Sequence, residues 1–291
     1  MIQNETKRGI WLMVVTTFIF ASQDGLSRHL AEAANTPMIV MIRYWFFALF
    51  VISIARRQKG SIRAAAATSQ PLVQAFRGAL LALEIMVMVL AFVYLGLVES
   101  HAVFAVYPLL IGALSGPVLG EKVGWRRWTA IAVGFVGVII ILQPGSSVFS
   151  PYAAIPFLAA LMFAVYGLLN RYVARLDDTA TSFFWTGVVG AIVSTAIGVF
   201  YWEPLQGWDW ALMLLLCITG AAGHYTMIKA YEVAEASAIQ PFAYLQLVFA
   251  SAIGLTIFGE TLRINVIVGA GLIIAAGLFT FWRERVRRKQ N

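Results

Sequence analysis

Ten stretches of about twenty mostly apolar residues run almost end to end through this chain, with short gaps between them. They fall near 9–31, 37–55, 72–97, 100–119, 125–143, 151–174, 180–201, 208–231, 237–258 and 264–282. Each run is continuously apolar rather than alternating at every second residue, which is the pattern of spanning helices and not of barrel strands. Composition agrees: 60% of the 291 residues are hydrophobic and 12% charged, about half the charge of a soluble domain. The fold class is therefore all-α integral membrane, with ten transmembrane helices and little soluble mass on either side.

Lys and Arg in the loops set the orientation. With the N-terminus inside, the cytoplasmic face collects Lys7, Arg8, Arg56, Arg57, Lys59, Arg63, Arg77, Lys122, Arg126, Arg127, Arg171, Arg175, Lys229 and the basic C-terminal residues Arg283, Arg285, Arg287, Arg288 and Lys289. Only Arg28 and Arg263 remain outside, and Arg43 lies within the second span, so both termini are cytoplasmic. The formal net charge of +7 thus writes membrane topology, with no basic face interleaved with aromatics for a nucleic acid. Cys217 is the sole cysteine, which excludes an internal disulfide and a CxxC metal framework. The N-terminal run is too long for a signal peptide and reads as an uncleaved first span in a multi-pass protein of the inner membrane.

The chain also says the same thing twice. "FASQDGLSRHLA" begins at Phe20 and "FAVYGLLNRYVA" at Phe163; a second pair runs from Ala91 to Glu121 and from Ala230 to Glu260, each opening on Ala and an aromatic and closing on Gly-Glu. Spans 1–5 therefore correspond to spans 6–10. Five is odd, so the second half enters the membrane from the opposite face, giving two inverted five-helix repeats around a central cavity. The boundaries are 9–143 for the first repeat, 151–283 for the second and 284–291 for a basic cytoplasmic tail.

These features resemble the EamA family of the drug/metabolite transporter superfamily: Gly120-Glu121 and Gly259-Glu260 closing equivalent spans, Pro108 in the fourth span, Gly134 and Gly137 in the fifth, and Arg43 in the second. Within it the chain looks most like bacterial amino-acid exporters of the YddG type. The resemblance covers residues 9 to 283. It implies a basket of ten helices with the fifth and tenth at its edge, and a secondary active transporter that exports amino acids or related small metabolites by alternating access. One departure is that Leu247 stands where the first half has Pro108, so the halves are not expected to bend identically there.

An ionisable group inside a span costs about 2.5–3.5 kcal/mol on insertion scales, so each needs a reason. Glu84 sits in "LLALEIMVMVLAF", and the equivalent stretch of span 8, "GAAGHYTMIKA", carries His224. Together they suggest a midplane pair that binds a substrate amine or a proton; a protonated Glu84 serving structure alone is the other reading. Asp24 and Arg43 enter from the same side, which gives either an ion pair between spans 1 and 2 or an Arg43 that receives a substrate carboxylate. Gln23, Tyr107, Tyr166, Trp185, Tyr225, Tyr244 and Gln246 occupy mid-span positions; helix packing or lipid contact is the better explanation of any single one, but their concentration predicts two or three liners of an aromatic cavity. Glu121 and Glu260 are expected to accept from free helix N–H groups. Arg28 and Arg171 read as snorkelling anchors, and Trp202, Trp208 and Trp210 as an interfacial belt.

No catalytic motif is present, and no metal or other cofactor is expected, so the chain is not read as an enzyme. The expected partners are a small-molecule substrate (an amino acid above all), the lipid bilayer and a proton, for a monomer or homodimer. The rival within the same class is an importer or exchanger of a nucleotide sugar, cofactor or drug. The rival from another class is a lipid-modifying enzyme, for which Glu99 and His101 are the single interfacial acid–imidazole pair.

Overall fold

The structure is a computed structural model that describes residues 2–120, 124–143, 151–234 and 239–290. Among these residues it is helical, with no strand. In chain order the helices are α1 (Ile2–Ala33), α2 (Thr36–Lys59), a short α3 (Ile62–Ala66), α4 (Pro71–Leu95), α5 (Leu97–Phe104), α6 (Tyr107–Leu119) and α7 (Trp125–Leu142). The second half contributes α8 (Ala154–Val173), α9 (Thr179–Gly198), α10 (Asp209–Val233), α11 (Leu245–Thr256) and α12 (Ile264–Gln290). The basic tail continues α12 as far as Gln290.

Among the described residues, seven helical segments are long and apolar enough to cross a bilayer: Glu5–Ala33, Thr36–Lys59, Pro71–Leu95, Leu97–Gly116, Ala154–Val173, Thr179–Tyr201 and Asp209–Met227. The other three expected spans appear as shorter apolar helices, Trp128–Leu142, Phe242–Thr256 and Ile264–Thr280. Large apolar side chains cover the outside, with Leu72, Phe200 and Trp208 more than 80% exposed and Leu49 and Ile192 more than 60%. Water does not tolerate such a surface on a folded monomer. Hydrocarbon does, and the chain is a multi-pass protein of the cell membrane.

Local chemistry explains the ends and the breaks. Asn35 caps α2 by accepting from the Met38 N–H at 3.0 Å, and Asp178 caps α9 by accepting from the Thr181 N–H at 2.9 Å. The expected fourth span divides into α5 and α6, because Pro108 has no N–H for the Phe104 carbonyl. In the second half the segment before α11 is a 3₁₀ turn over Gln240–Tyr244. The two halves therefore change helix geometry at equivalent places by different means, a turn in one and a 3₁₀ segment in the other.

The packing partners follow a pattern. Helix α1 lies on α10 as α8 lies on α4, and α1 lies on α11 as α8 lies on α6. Helix α2 pairs with α9 and α7 with α12. The last pair crosses at Gly137 and Gly269: a Cβ on Gly137 would stand 2.6 Å from the Gly269 carbonyl oxygen, and one on Gly269 would stand 2.5 Å from that of Gly137. Only glycine lets two backbones approach so closely.

Candidate functional site

Helices α2, α4 and α10 line a small, partly open cavity of about 20 Å³. From α2 come Arg43, Tyr44 and Phe47, from α4 Leu81 and Ile85, and from α10 one helical stripe of Cys217, Gly220, Ala221 and His224. The small residues of α10 make the room. A Cβ on Gly220 would meet Gln23 Oε1 of α1 at 3.2 Å and Arg43 Nε at 3.7 Å. Two polar groups from different helices thus converge on one glycine.

What distinguishes these groups is that the protein does not satisfy them. Gln23 is 4% exposed, and among the described residues its Oε1 has no hydrogen-bond partner; nor does the buried hydroxyl of Tyr44 or Nδ1 of His224. Arg43 makes no hydrogen bond or ion pair among the described residues, although its charge reaches Tyr44, Glu84, Cys217 and His224. Glu84, 4% exposed, likewise has no hydrogen-bonded partner there, and the charges that reach it are those of Asp24 and Arg43. The His224 ring is surrounded by Phe47, Phe20 and Phe183 at centroid distances of 5.2, 5.4 and 6.0 Å. A cation, an anion and rings around one hole are the means to hold a zwitterion with an aromatic part.

Two satisfied networks flank this cavity. On one side Asp24 Oδ2 lies 3.0 Å from His101 Nε2 and accepts from Gln246 Nε2 at 2.9 Å. Above it Glu260 accepts from the first N–H groups of α5, Leu97 at 2.7 Å and Val98 at 2.8 Å, and is paired with Arg28. Gly96, at φ +91°, leaves room for that carboxylate, since a Cβ there would stand 2.7 Å from Glu260 Oε1. On the other side Arg77, 2% exposed, donates to Gln74 Oε1 at 2.7 and 3.1 Å, to Asn170 Oδ1 at 2.5 Å and to the Ser182 carbonyl. Asp177 accepts from Gln74 at 2.7 Å and from Thr68 at 2.5 Å. Arg77 therefore ties α4 to α8 and α9.

Of the residues expected to form the site, Gln23, Arg43 and His224 meet at the cavity, and Glu84 sits between its lining residues Leu81 and Ile85. Glu84 and His224 are not hydrogen-bonded to each other. The expected Asp24–Arg43 pair is not formed: Asp24 faces α5 and α11, whereas Arg43 faces α10, so similar depth does not bring them together. Gln246 belongs to the Asp24 network. Tyr166 is 3.4 Å from Arg77 Nη1, and Tyr107 packs edge-on to Phe163, both on the α4–α8–α6 side.

Trp185 lies away from the cavity, donating to the Ala66 carbonyl at 3.2 Å. Tyr225 is 51% exposed and faces outward under Lys229. Tyr244 packs against Gly277 of α12. Arg28 is no snorkelling anchor, because Glu32 and Glu260 hold it and it lies 4.2 Å over Phe258. Glu260 does accept from helix N–H groups, but those of α5 in the other half; Glu121 lies outside the described residues. Glu99 is paired with Arg263 and His101 with Asp24, so the expected Glu99–His101 pair is not formed.

Sequence reasoning missed two features. Arg77 was counted as a loop charge, although Gln74 three residues before it is a helical-face partner. Phe20, Phe47 and Phe183 carry no polar atom to mark them.

The EamA-like transporter family profile matches residues 7–143 and again 151–282. The S-adenosylmethionine uptake transporter of Rickettsia prowazekii is 25% identical over 278 residues, covering 95% of this chain and 93% of the relative. The riboflavin transporter of Rhizobium johnstonii is 33% identical over 175 residues, 60% of this chain and 57% of the relative. The pseudopaline exporter CntI of Pseudomonas aeruginosa is 23% identical over 281 residues, 95% and 96% of the two chains. A solved structure with 17% identity superposes over 99% of both chains at a TM-score of 0.61, which supports the fold alone. With both halves matched and a cavity between packed spans, the chain belongs to the EamA-like transporter family.

Proposed function

We propose that this transporter is a secondary carrier for a small metabolite bearing an amino-acid group and an aromatic ring, with S-adenosylmethionine its first candidate substrate and uptake its direction. The observation that carries the reading is the cavity lined by Arg43, Phe47 and His224, where Arg43 has no hydrogen-bond or ion-pair partner among the described residues and Gln23 Oε1 approaches Gly220. Arg43 would receive the carboxylate in a bidentate pair. Glu84 would sit toward the positive groups, and the Phe47–His224 wall would take a base or a sulfonium face. The full-length likeness to the Rickettsia protein supports that substrate. Riboflavin is uncharged near neutral pH and would leave both ionic groups of the cavity without partners. The export of free amino acids expected from the resemblance stays as the alternative, since relatives with full-length matches carry both uptake and export names.

In the same reading the ten helices form two inverted halves with both termini cytoplasmic. The exchangeable pairings (α1 on α10 with α8 on α4) support it. Rocking of the halves would expose the cavity to each face in turn.

The test is counterflow of radiolabelled S-adenosylmethionine in proteoliposomes, with riboflavin and a panel of amino acids alongside. Saturable counterflow of S-adenosylmethionine is expected. Losing one hydrogen bond to a charged group costs about 1.5–3 kcal/mol, so Arg43→Gln should weaken the apparent affinity roughly 10- to 150-fold. Glu84→Gln should act in the same direction. Counterflow of riboflavin or a plain amino acid with no movement of S-adenosylmethionine would overturn the substrate assignment, and export without uptake in cells would overturn the direction.

A further inference from the structure

We infer that Asp24 and His101 hold one shared proton between them and form the proton-binding site through which this carrier couples to a pH gradient. The inference rests on the transport reading above, but its geometry is independent of the substrate.

His101 is 4% exposed and held in a single ring orientation by a parallel stack on Phe92 at 5.0 Å. Its Nδ1 lies 3.0 Å from the Leu97 carbonyl. A carbonyl can only accept, so Nδ1 carries a hydrogen. In a neutral imidazole that leaves Nε2 with a bare lone pair, and Nε2 faces Asp24 Oδ2 at 3.0 Å. An ionised carboxylate also offers only lone pairs. Two acceptors at hydrogen-bond distance in a buried site repel, so the contact requires a proton on the Nε2–Oδ2 axis, as imidazolium with carboxylate or as imidazole with carboxylic acid. Gln246 Nε2 donates to the same oxygen at 2.9 Å, which fits either form.

The surroundings leave this pair to respond on its own. Arg28 of α1 is engaged by Glu32 and Glu260, and Glu99 of α5 by Arg263, the residue before α12. Among the described residues, Glu84 of α4 is the further ionisable group whose charge interacts with that of Asp24, while Arg43 of α2 and His224 of α10 lie at the cavity. Helices α7 and α8 carry Arg126 and Arg171 at their opposite ends. Loss of the shared proton to water puts an anion against a lone pair at the junction of α1, α5 and α11 and pushes those helices apart. Asp24 is also the neighbour of Gln23, whose amide reaches the cavity beside Arg43, so movement of α1 at Asp24 changes the cavity.

Ring-¹⁵N histidine NMR of the purified protein in nanodiscs tests the shared proton without any substrate. The His101 signals are assigned by their loss in His101→Gln. The expected result is a proton-bearing or proton-sharing Nε2 in the native chain that moves to the position of a bare acceptor nitrogen in Asp24→Asn. A bare Nε2 in the native chain, unmoved by Asp24→Asn, would overturn the inference. In proteoliposomes, Asp24→Asn and His101→Gln should abolish accumulation driven by a pH gradient while keeping counterflow within about threefold of the native rate, which converts to under 1 kcal/mol. Undiminished gradient-driven accumulation in both variants would also overturn it. Failure of S-adenosylmethionine to move at all would sink the substrate reading alone, because the NMR result stands without it.

Discussion

Replacing Arg77 asks whether a buried cation locks one end of the bundle. The guanidinium is 2% exposed and donates to acceptors on α4 and α8 and to the α9 backbone. The Asp177 carboxylate is linked to it through the Gln74 amide. In Arg77→Ala the Gln74 and Asn170 carbonyl oxygens lose their donor, each stranded at about 1–3 kcal/mol. The Ser182 carbonyl keeps its bond from Thr186 at 2.8 Å. The variant also removes the desolvation cost of the cation and opens a cavity. Breaking a buried charged network by deleting one member typically costs about 3–5 kcal/mol, and we expect that range. Arg77→Lys should lose about half as much, since one ammonium cannot span a fork of acceptors on three helices. SDS-driven unfolding in mixed micelles, followed by tryptophan fluorescence, reads both. A loss below about 1 kcal/mol for Arg77→Ala, or Arg77→Lys equal to the native chain, would refute the lock.

Other consequences can be measured in the same preparations. Gly137→Ala and Gly269→Ala each place a methyl against the partner's backbone carbonyl, and each should cost about 1–3 kcal/mol by overpacking; the double variant should be less than additive, because the first methyl already parts the helices. The Lys59 ammonium, and after it the Thr181 N–H, hold the Asp178 carboxyl below its ordinary value. Its contribution is therefore fully present above about pH 4 and disappears as acid takes the pH through the lowered value. Asp178→Ala should cost about 1 kcal/mol at neutral pH and nothing once the native carboxyl is protonated, as thermal scans at the two pH values would show. Cys217, 5% exposed on the cavity wall, is a native reporter. Its labelling by a small thiol reagent should slow when the transported solute is added, and labelling indifferent to every transported solute would place the binding site elsewhere.

Hydropathy made the helices legible, and the polar interruptions of apolar runs found Gln23, Arg43, Glu84 and His224, because a polar atom in hydrocarbon needs a reason wherever it stands. Direction around the helix axis was not legible. Asp24 and Arg43 share a depth, but α1 turns one toward α5 and α11 while α2 turns the other toward α10. Tyr225 and His224 are chain neighbours, and about 100° of rotation separates lipid from cavity. Aromatics defeat the sequence for a related reason: lipid, a helix interface and a substrate cavity are all apolar surroundings. Tyr225, Trp185 and Tyr244 therefore looked alike, and Phe20, Phe47 and Phe183 did not stand out at all. Arg77 was hidden by its place near a helix end, where topology rules expect a solvated charge.

The pairing of the intramembrane polar groups divides them by role. Arg77, Arg28 and Glu260 are each satisfied by groups on other helices, so any motion that separates those helices must break their bonds; they hold a conformation. Arg43, Glu84 and Gln23 carry the cost of burial without that return from the protein. A chain under selection for stability alone would replace them with apolar residues of similar volume, a change that is often neutral or stabilising for buried charges. In the function proposed above, a solute with an anionic, a cationic and a flat apolar part would supply the partners that these groups lack. The same division separates the two kinds of variant. Arg77→Ala should weaken the fold, whereas Arg43→Gln should leave stability unchanged or raised while transport falls. A carrier whose Arg43 proved as costly to remove as its Arg77 would have its binding site somewhere other than between α2 and α10.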